Sequence, residues 1–139
     1  DAFDIPVITL TNVTGFAATE GEEKKIADAA GKLAHAFASA TTAKVNVITG
    51  SAVGSAYTVM NSKGLGADLT FAFPDAKVGV MDAKMAAKII CDSTDADEIA
   101  KVAAEYDALQ NSIDSAAARG YIDQIVDPDE LRKYLIGAL

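Results

Sequence analysis

The chain has 139 residues, half of them hydrophobic, and carries 20 acidic against 12 basic side chains for a formal charge of −8. That length suits one domain with a true core and apolar surface left over for an interface. The negative balance, without any cluster of Lys and Arg, excludes a nucleic-acid groove or an anionic membrane surface as the main partner, and no apolar run approaches the ~18 residues of a membrane span.

Ile5-Pro6-Val7-Ile8-Thr9-Leu10 is a β-branched run without polar alternation, so it predicts a strand covered on both faces, ending at Thr11-Asn12. Ile26, Ala30, Leu33 and Phe37 then recur at helical spacing after the acidic stretch Glu20 to Glu23, which predicts a core-facing helix with carboxylates at its positive end. Lys44 to Thr49 is a second strand, running into the small-residue turn Gly50 to Ala56; a helix is expected from there to about Lys63, ended by Gly64 and Gly66. Leu69 to Phe73 and Lys77 to Met81 are further strands, divided by the turn pair Pro74-Asp75.

Asp82 is placed to cap a short helix through Ile90, and Asp95 with Glu98 resembles a capping box. From there Ile99, Val102, Tyr106, Leu109 and Ile113 mark one helical face. Gly120 closes that region, Tyr121 to Val126 reads as a strand, and Asp127-Pro128 opens a last helix through Leu131, Tyr134, Leu135 and Ala138. The alternation of strands and helices is an α/β pattern with no internal linker or short repeat.

Ligands of open α/β sheets gather at the carboxyl ends of strands, and two such ends carry unusual loops, Asn12 to Phe16 and Gly50 to Ala56. Gly15 permits close backbone approach, and the Gly54-Ser55-Ala56 turn opens a helix whose first amides lack internal partners. One amide from each loop, converging, would make an oxyanion hole. Tight glycine turns are also common for purely structural reasons. The only histidine, His35, sits mid-helix beside the apolar stripe, without the second ligand a metal needs. The only cysteine, Cys91, excludes an internal disulfide, fits a reducing cytoplasm, and reads as a small buried hydrophobe. The acidic pairs at helix starts are explained by capping.

At the two loops the chain resembles the carboxyltransferase subunits of biotin-dependent acyl-CoA carboxylases and decarboxylases. Thr14-Gly15-Phe16 is similar to the family's Pro-Gly-Phe loop, Ala36 to Thr41 to its helix end, and Lys44 to Thr49 to its Lys-Val-x-Val-Ile-Thr strand. Gly54 to Lys63 resembles its Gly-Gly-Ala-Tyr-Asp-Val-Met-x-Ser-Lys turn, and Val80-Met81 and Ala116 to Asp123 match further signatures. The likeness is collinear over nearly the whole chain. It implies a ClpP/crotonase-like spiral of strand-strand-helix repeats. It also implies that residues 1–139, opening at Asp1 rather than Met, are the C-terminal, biotin-side half of a longer carboxyltransferase.

On this resemblance Gly15, Phe16, Ser55 and Ala56 supply catalytic amides, and Gly54, Tyr57 and Thr58 contact the substrate. The cofactors implied are biotin on a carrier protein and coenzyme A as acyl carrier. The partners implied are further copies of the chain, an N-terminal carboxyltransferase half and the biotin carboxyl carrier protein, with a membrane complex as an option. Three departures stand out: Ser55 replaces the second glycine of the turn, Thr58 replaces an Asp associated with acyl-chain selection, and Thr14 replaces the loop proline. None removes an amide donor. Alternatives are a decarboxylase running the reverse transfer, a non-catalytic assembly half, and a ClpP-like serine hydrolase, which would require His35 to reach Ser55.

Overall fold

The computed structural model describes residues 1–17 and 19–139. Five strands, all paired in parallel, form the sheet: β1 (Val7–Val13), β2 (Lys44–Val53), β3 (Leu69–Ala72), β4 (Lys77–Gly79) and β5 (Gln124–Ile125). Their order is β1-β2-β3-β5, with β4 joining β2 off that path. Among the described residues six helices accompany them: α1 (Glu20–Ser39), α2 (Gly54–Thr58), α3 (Ala83–Ile90), α4 (Ala96–Tyr106), α5 (Ile113–Ala118) and α6 (Leu131–Ala138).

β2 organises the molecule. Its first half pairs with β3 from Val45↔Leu69 to Ile48↔Ala72, and its second half pairs with β4 from Ser51↔Lys77 to Val53↔Gly79. Between them the register with β1 slips: Thr11 faces Ile48 but Val13 faces Ala52, so two steps along β1 match four along β2. Such a bulge bends a strand and re-aims its end. The sequence predicts a loop after Thr49; the chain instead stays extended to Val53 because β4 offers a new partner. Asn12 fastens the bend, its Oδ1 accepting the Ser51 N–H at 2.9 Å. Gly50 is required beside it, since a Cβ there would sit 2.7 Å from Asn12 Oδ1.

The two faces of the sheet bury different chemistry. One packs Val45, Val47, Phe71 and Val126 under Leu131, Tyr134 and Leu135 of α6. The other packs Ile48, Ala52, Tyr57, Ala72 and Val78 under Ile113 and Ala116 of α5. This second face also carries a polar layer in register across three strands, buried Asn46 and Thr70 with half-buried Thr9. Thr9 and Thr11 donate to Asn46 Oδ1 at 3.0 and 2.7 Å, and Asn61 Nδ2 donates to Thr9 Oγ1 at 3.2 Å.

Several expectations are corrected. β1 begins at Val7, and it is not covered on both faces: Ile8 and Leu10 are exposed, because β1 is an edge strand that α6 does not reach. No residue of α1 is buried; its Ile26, Ala30 and Phe37 are only half-buried, since the helix closes over the Gly15 loop and not over the main core. α2 is one short helix that stops at Thr58, followed by a turn in which Asn61 takes φ 53° and a 3-10 turn at Lys63–Leu65. Of the two glycines expected to end it, only Gly66 is left-handed, at φ 112°. β4 stops at Gly79, and β5 occupies only two of the six residues from Tyr121 to Val126.

The long face through Ile113 is broken by a π turn, Asp107–Asn111, after which Ser112 caps α5 through its hydroxyl. The caps at Asp82 and Asp95 form as expected, accepting from Lys84 and Met85 and from Asp97 respectively. The Asp95 N–H, though, bonds Ser93 Oγ and not Glu98. Asp127 precedes a 3-10 turn with Pro128 at its start, and α6 follows from Leu131. Among the described residues no helix is long and apolar enough to cross a membrane.

Candidate functional site

The bend in β2 delivers Gly54 at the sheet's carboxyl edge with φ +71°, a conformation natural to glycine, and the chain turns at once into α2. Among the described residues no hydrogen bond uses the N–H of Ser55 or Ala56. These are first-turn amides, which a helix leaves unsatisfied.

Two cavities lie on either side of this helix start. One, of about 280 Å³, is lined by Gly15 and Phe16 from the end of β1, by Ala56 and Met60, and by Ile26 and Leu33 of α1. Its lining carries no charged residue, and nothing lies within 4 Å of where a Gly15 side chain would point. The structure therefore brings Gly15, Phe16 and Ala56 together.

The other cavity, of about 350 Å³, is lined by Gly54, Ser55, Tyr57 and Thr58, by Val78 to Val80, and by Gln110, Arg119 and Tyr121. The predicted residues thus divide between adjacent cavities. Among the described residues Arg119 is the one charged group lining the second cavity.

Tyr57 is buried with its hydroxyl unpartnered, and burial, helped by the nearby Tyr121 phenol, pushes its pKa up to about 12. It therefore stays a neutral phenol at physiological pH. Gly79, in the cavity lining, lies against the buried Asn111, whose Nδ2 donates to Met81 O and Asp107 Oδ1, both at 3.3 Å. Gln110, Asn111 and Arg119 were not singled out for chemistry by sequence. The π turn that aims the first two is invisible to helical periodicity, and Arg119 was visible only as part of a family signature.

His35 is placed far from the role a hydrolase would ask of it: its ring nitrogen meets Ser39 Oγ at 3.4 Å on its own helix, and no bond to Ser55 exists among the described residues. Cys91 is half-buried at the end of α3, with its backbone N–H bonded to Ala87 O, so it is less enclosed than expected. Among the described residues no group of His, Cys, Asp and Glu is arranged to hold a metal ion.

Comparison with known proteins bears on this geometry. The model of the carboxyl transferase domain family matches residues 1–139. The propionyl-CoA carboxylase beta chain of Roseobacter denitrificans is 41% identical over 136 residues, covering 96% of this chain and 27% of that protein. The mitochondrial propionyl-CoA carboxylase beta chain of Homo sapiens is 44% identical over 133 residues, covering 95% and 24%. The chain thus spans about a quarter of the length of these relatives.

Among solved structures, transcarboxylase 12S, a hexamer with methylmalonyl-coenzyme A and methylmalonic acid bound, superposes with a TM-score of 0.94 at 34% identity, over 98% of this chain and 27% of that one. The beta subunit of geranyl-CoA carboxylase from P. aeruginosa shares the fold at a TM-score of 0.86 and 24% identity, over 98% of this chain and 28% of that one. The expected crotonase-like α/β fold is borne out.

Proposed function

The chain belongs to the carboxyl transferase domain family, and from that premise we propose that it forms the biotin-side half of a site moving CO2 between biotin and an acyl-CoA. The observation that carries this reading is the shared cavity of Gly15, Phe16 and Ala56, walled by apolar side chains and met by a helix start with unpaired amides. Biotin, carried by a partner protein, supplies the transferable carboxyl group and, once relieved of it, a ring nitrogen able to accept the acyl α-proton. A site of this kind needs no side-chain base, which agrees with a lining that contains no His, Cys or carboxylate.

The chain's own contribution is electrostatic. The N–H groups of Ser55 or Ala56, with one from Gly15 or Phe16, would hold the ureido oxygen of bound biotin and stabilise the negative charge developing on it. Fixed donors in a water-poor cavity need no reorganisation, and losing one typically costs about 3 kcal/mol of transition-state stabilisation. The neighbouring cavity, with Gly54, Tyr57 and Thr58, takes the acyl group. Exposed apolar residues on β1 and α3, among them Leu10, Met85 and Ile89, give further copies, an N-terminal carboxyltransferase half and the biotin carrier a surface to dock on.

Backbone donors cannot be deleted by ordinary substitution, so the test is steric. Ala56 is buried, and Ala56→Val in the complete carboxyltransferase assembly adds two methyl groups at the mouth of the cavity. We expect loss of biotin-dependent carboxyl transfer by at least about a hundredfold, with unchanged assembly by sedimentation. Wild-type turnover in that variant removes the amide site from Ala56. Running the assay with acyl-CoA and with its carboxylated product separates net carboxylation from decarboxylation.

A further inference from the structure

The acyl-side cavity has one wall that no regular element provides. Gln110 lies in the π turn Asp107–Asn111, a wide turn whose last carbonyls cannot be met by the following helix, because Ser112 is extended at φ −64°, ψ 146°. Those carbonyls are met from the far end of α5. Arg119 Nη2 donates to Leu109 O at 3.2 Å, to Gln110 O at 3.3 Å and to Ser115 Oγ at 2.6 Å. Ser115 Oγ in turn donates to Leu109 O at 2.8 Å.

A guanidinium at the carboxyl end of a turn makes charge-assisted bonds of the stronger kind and complements the exposed carbonyl dipoles. Leu109 is exposed and Gln110 half-buried, while the two ends of the turn are tied to β4 by the Lys77 ammonium on Asp107 and by the Lys77↔Ser112 bridge. On the opposite side Asn111 anchors it to Met81 O.

We propose that Arg119 is a positioning residue for acyl selection: by gathering the Leu109 and Gln110 carbonyls with Ser115 it fixes Gln110 in the cavity lining that also includes Thr58 and so sets how long an acyl group the cavity admits. This rests on the acyl-CoA reading of the site. Only one guanidinium nitrogen is used, so a lysine ammonium can serve the same three acceptors, whereas alanine cannot.

The test uses the complete carboxyltransferase assembly in wild-type, Arg119→Ala and Arg119→Lys forms. Amide hydrogen exchange over residues 107–112 is measured together with kcat/KM for acetyl-, propionyl- and butyryl-CoA. A well-formed pocket separates acyl groups one methylene apart by about 10–200-fold. In Arg119→Ala the turn exchanges faster, and discrimination between propionyl- and butyryl-CoA falls by about tenfold, through KM more than kcat. Arg119→Lys restores both.

Unchanged exchange in Arg119→Ala overturns the proposal. So does faster exchange with unchanged selectivity, which leaves Arg119 a purely structural brace. A wild-type assembly that turns over no acyl-CoA removes the carboxyl-transfer reading itself, a different failure from an active assembly whose selectivity does not move.

Discussion

Gly79→Ala is the sharpest test of how the cavity lining is built. A Cβ at Gly79 would stand 1.9 Å from Asn111 Oδ1 and 2.7 Å from its Cγ, well inside contact distance. Asn111 cannot retreat without giving up its bonds to Met81 O and Asp107 Oδ1, each worth about 1 kcal/mol net. Overpacking strain adds about 1–3 kcal/mol, so Gly79→Ala should cost about 3–5 kcal/mol in urea unfolding, read as a shift in midpoint at constant slope.

The same substitution in an Asn111→Ala background meets a different environment. The nearest remaining atom is the residue 111 Cβ at 3.6 Å, ordinary contact, and the loss of a glycine from the unfolded chain contributes about 0.5 kcal/mol in favour. Gly79→Ala should then be neutral or slightly stabilising, and the double-mutant cycle should show a coupling of about 2 kcal/mol or more. Additive effects, within about 0.5 kcal/mol, would refute the close packing of the π turn on β4.

Other outcomes follow from single groups. Because the Tyr57 pKa is raised to about 12 in the folded chain against about 10 unfolded, its contribution to stability is whole below pH 10 and is lost as pH climbs from there to 12. Tyr57→Phe should flatten that alkaline slope in pH-dependent denaturation, and at neutral pH should cost nothing, since the hydroxyl it removes has no partner. A steeper slope in the variant would contradict the assignment. Asp123→Ala strands the Thr70 N–H, which the carboxylate accepts at 2.7 Å, and leaves Lys63 Nζ, which it holds at 2.7 and 2.8 Å, with only the Asp68 carbonyl. The ion pair is about a third exposed, so most of the expected loss of about 1–2 kcal/mol in chemical denaturation comes from the stranded amide. Lys63→Met should therefore cost less than Asp123→Ala.

What the sequence revealed was mainly what local chemistry decides. Asp82 and Asp95 are caps because a carboxylate reaches a free N–H two residues on, whatever the tertiary context. Ile26, Ala30 and Phe37 gave α1 by their spacing, but spacing could not tell what the helix would cover, and it covers a cavity. The extension of β2 through Gly50 and Ser51 was hidden, because it depends on β4 arriving alongside, a contact 26 residues away at Ser51↔Lys77. The break after Tyr106 was hidden for the opposite reason: Leu109 and Ile113 keep helical period through a turn held open by Arg119 and Ser115. The turns at Gly15 and Gly54 were legible, although Gly50 to Val53, expected as loop, is strand. Their division between two cavities was not, since it depends on which side of a one-turn helix each residue faces.

β2 gives Val53 to the start of α2 and pairs Val13 on one flank and Gly79 on the other, with Val13 lining the first cavity and Gly79 the second. A bent strand pinned by Asn12 acts as a common ruler for both chambers, so their separation is a constant of the scaffold. Substitutions in the lining, at Leu33 in one chamber or Gln110 in the other, resize that chamber without altering the distance between the two.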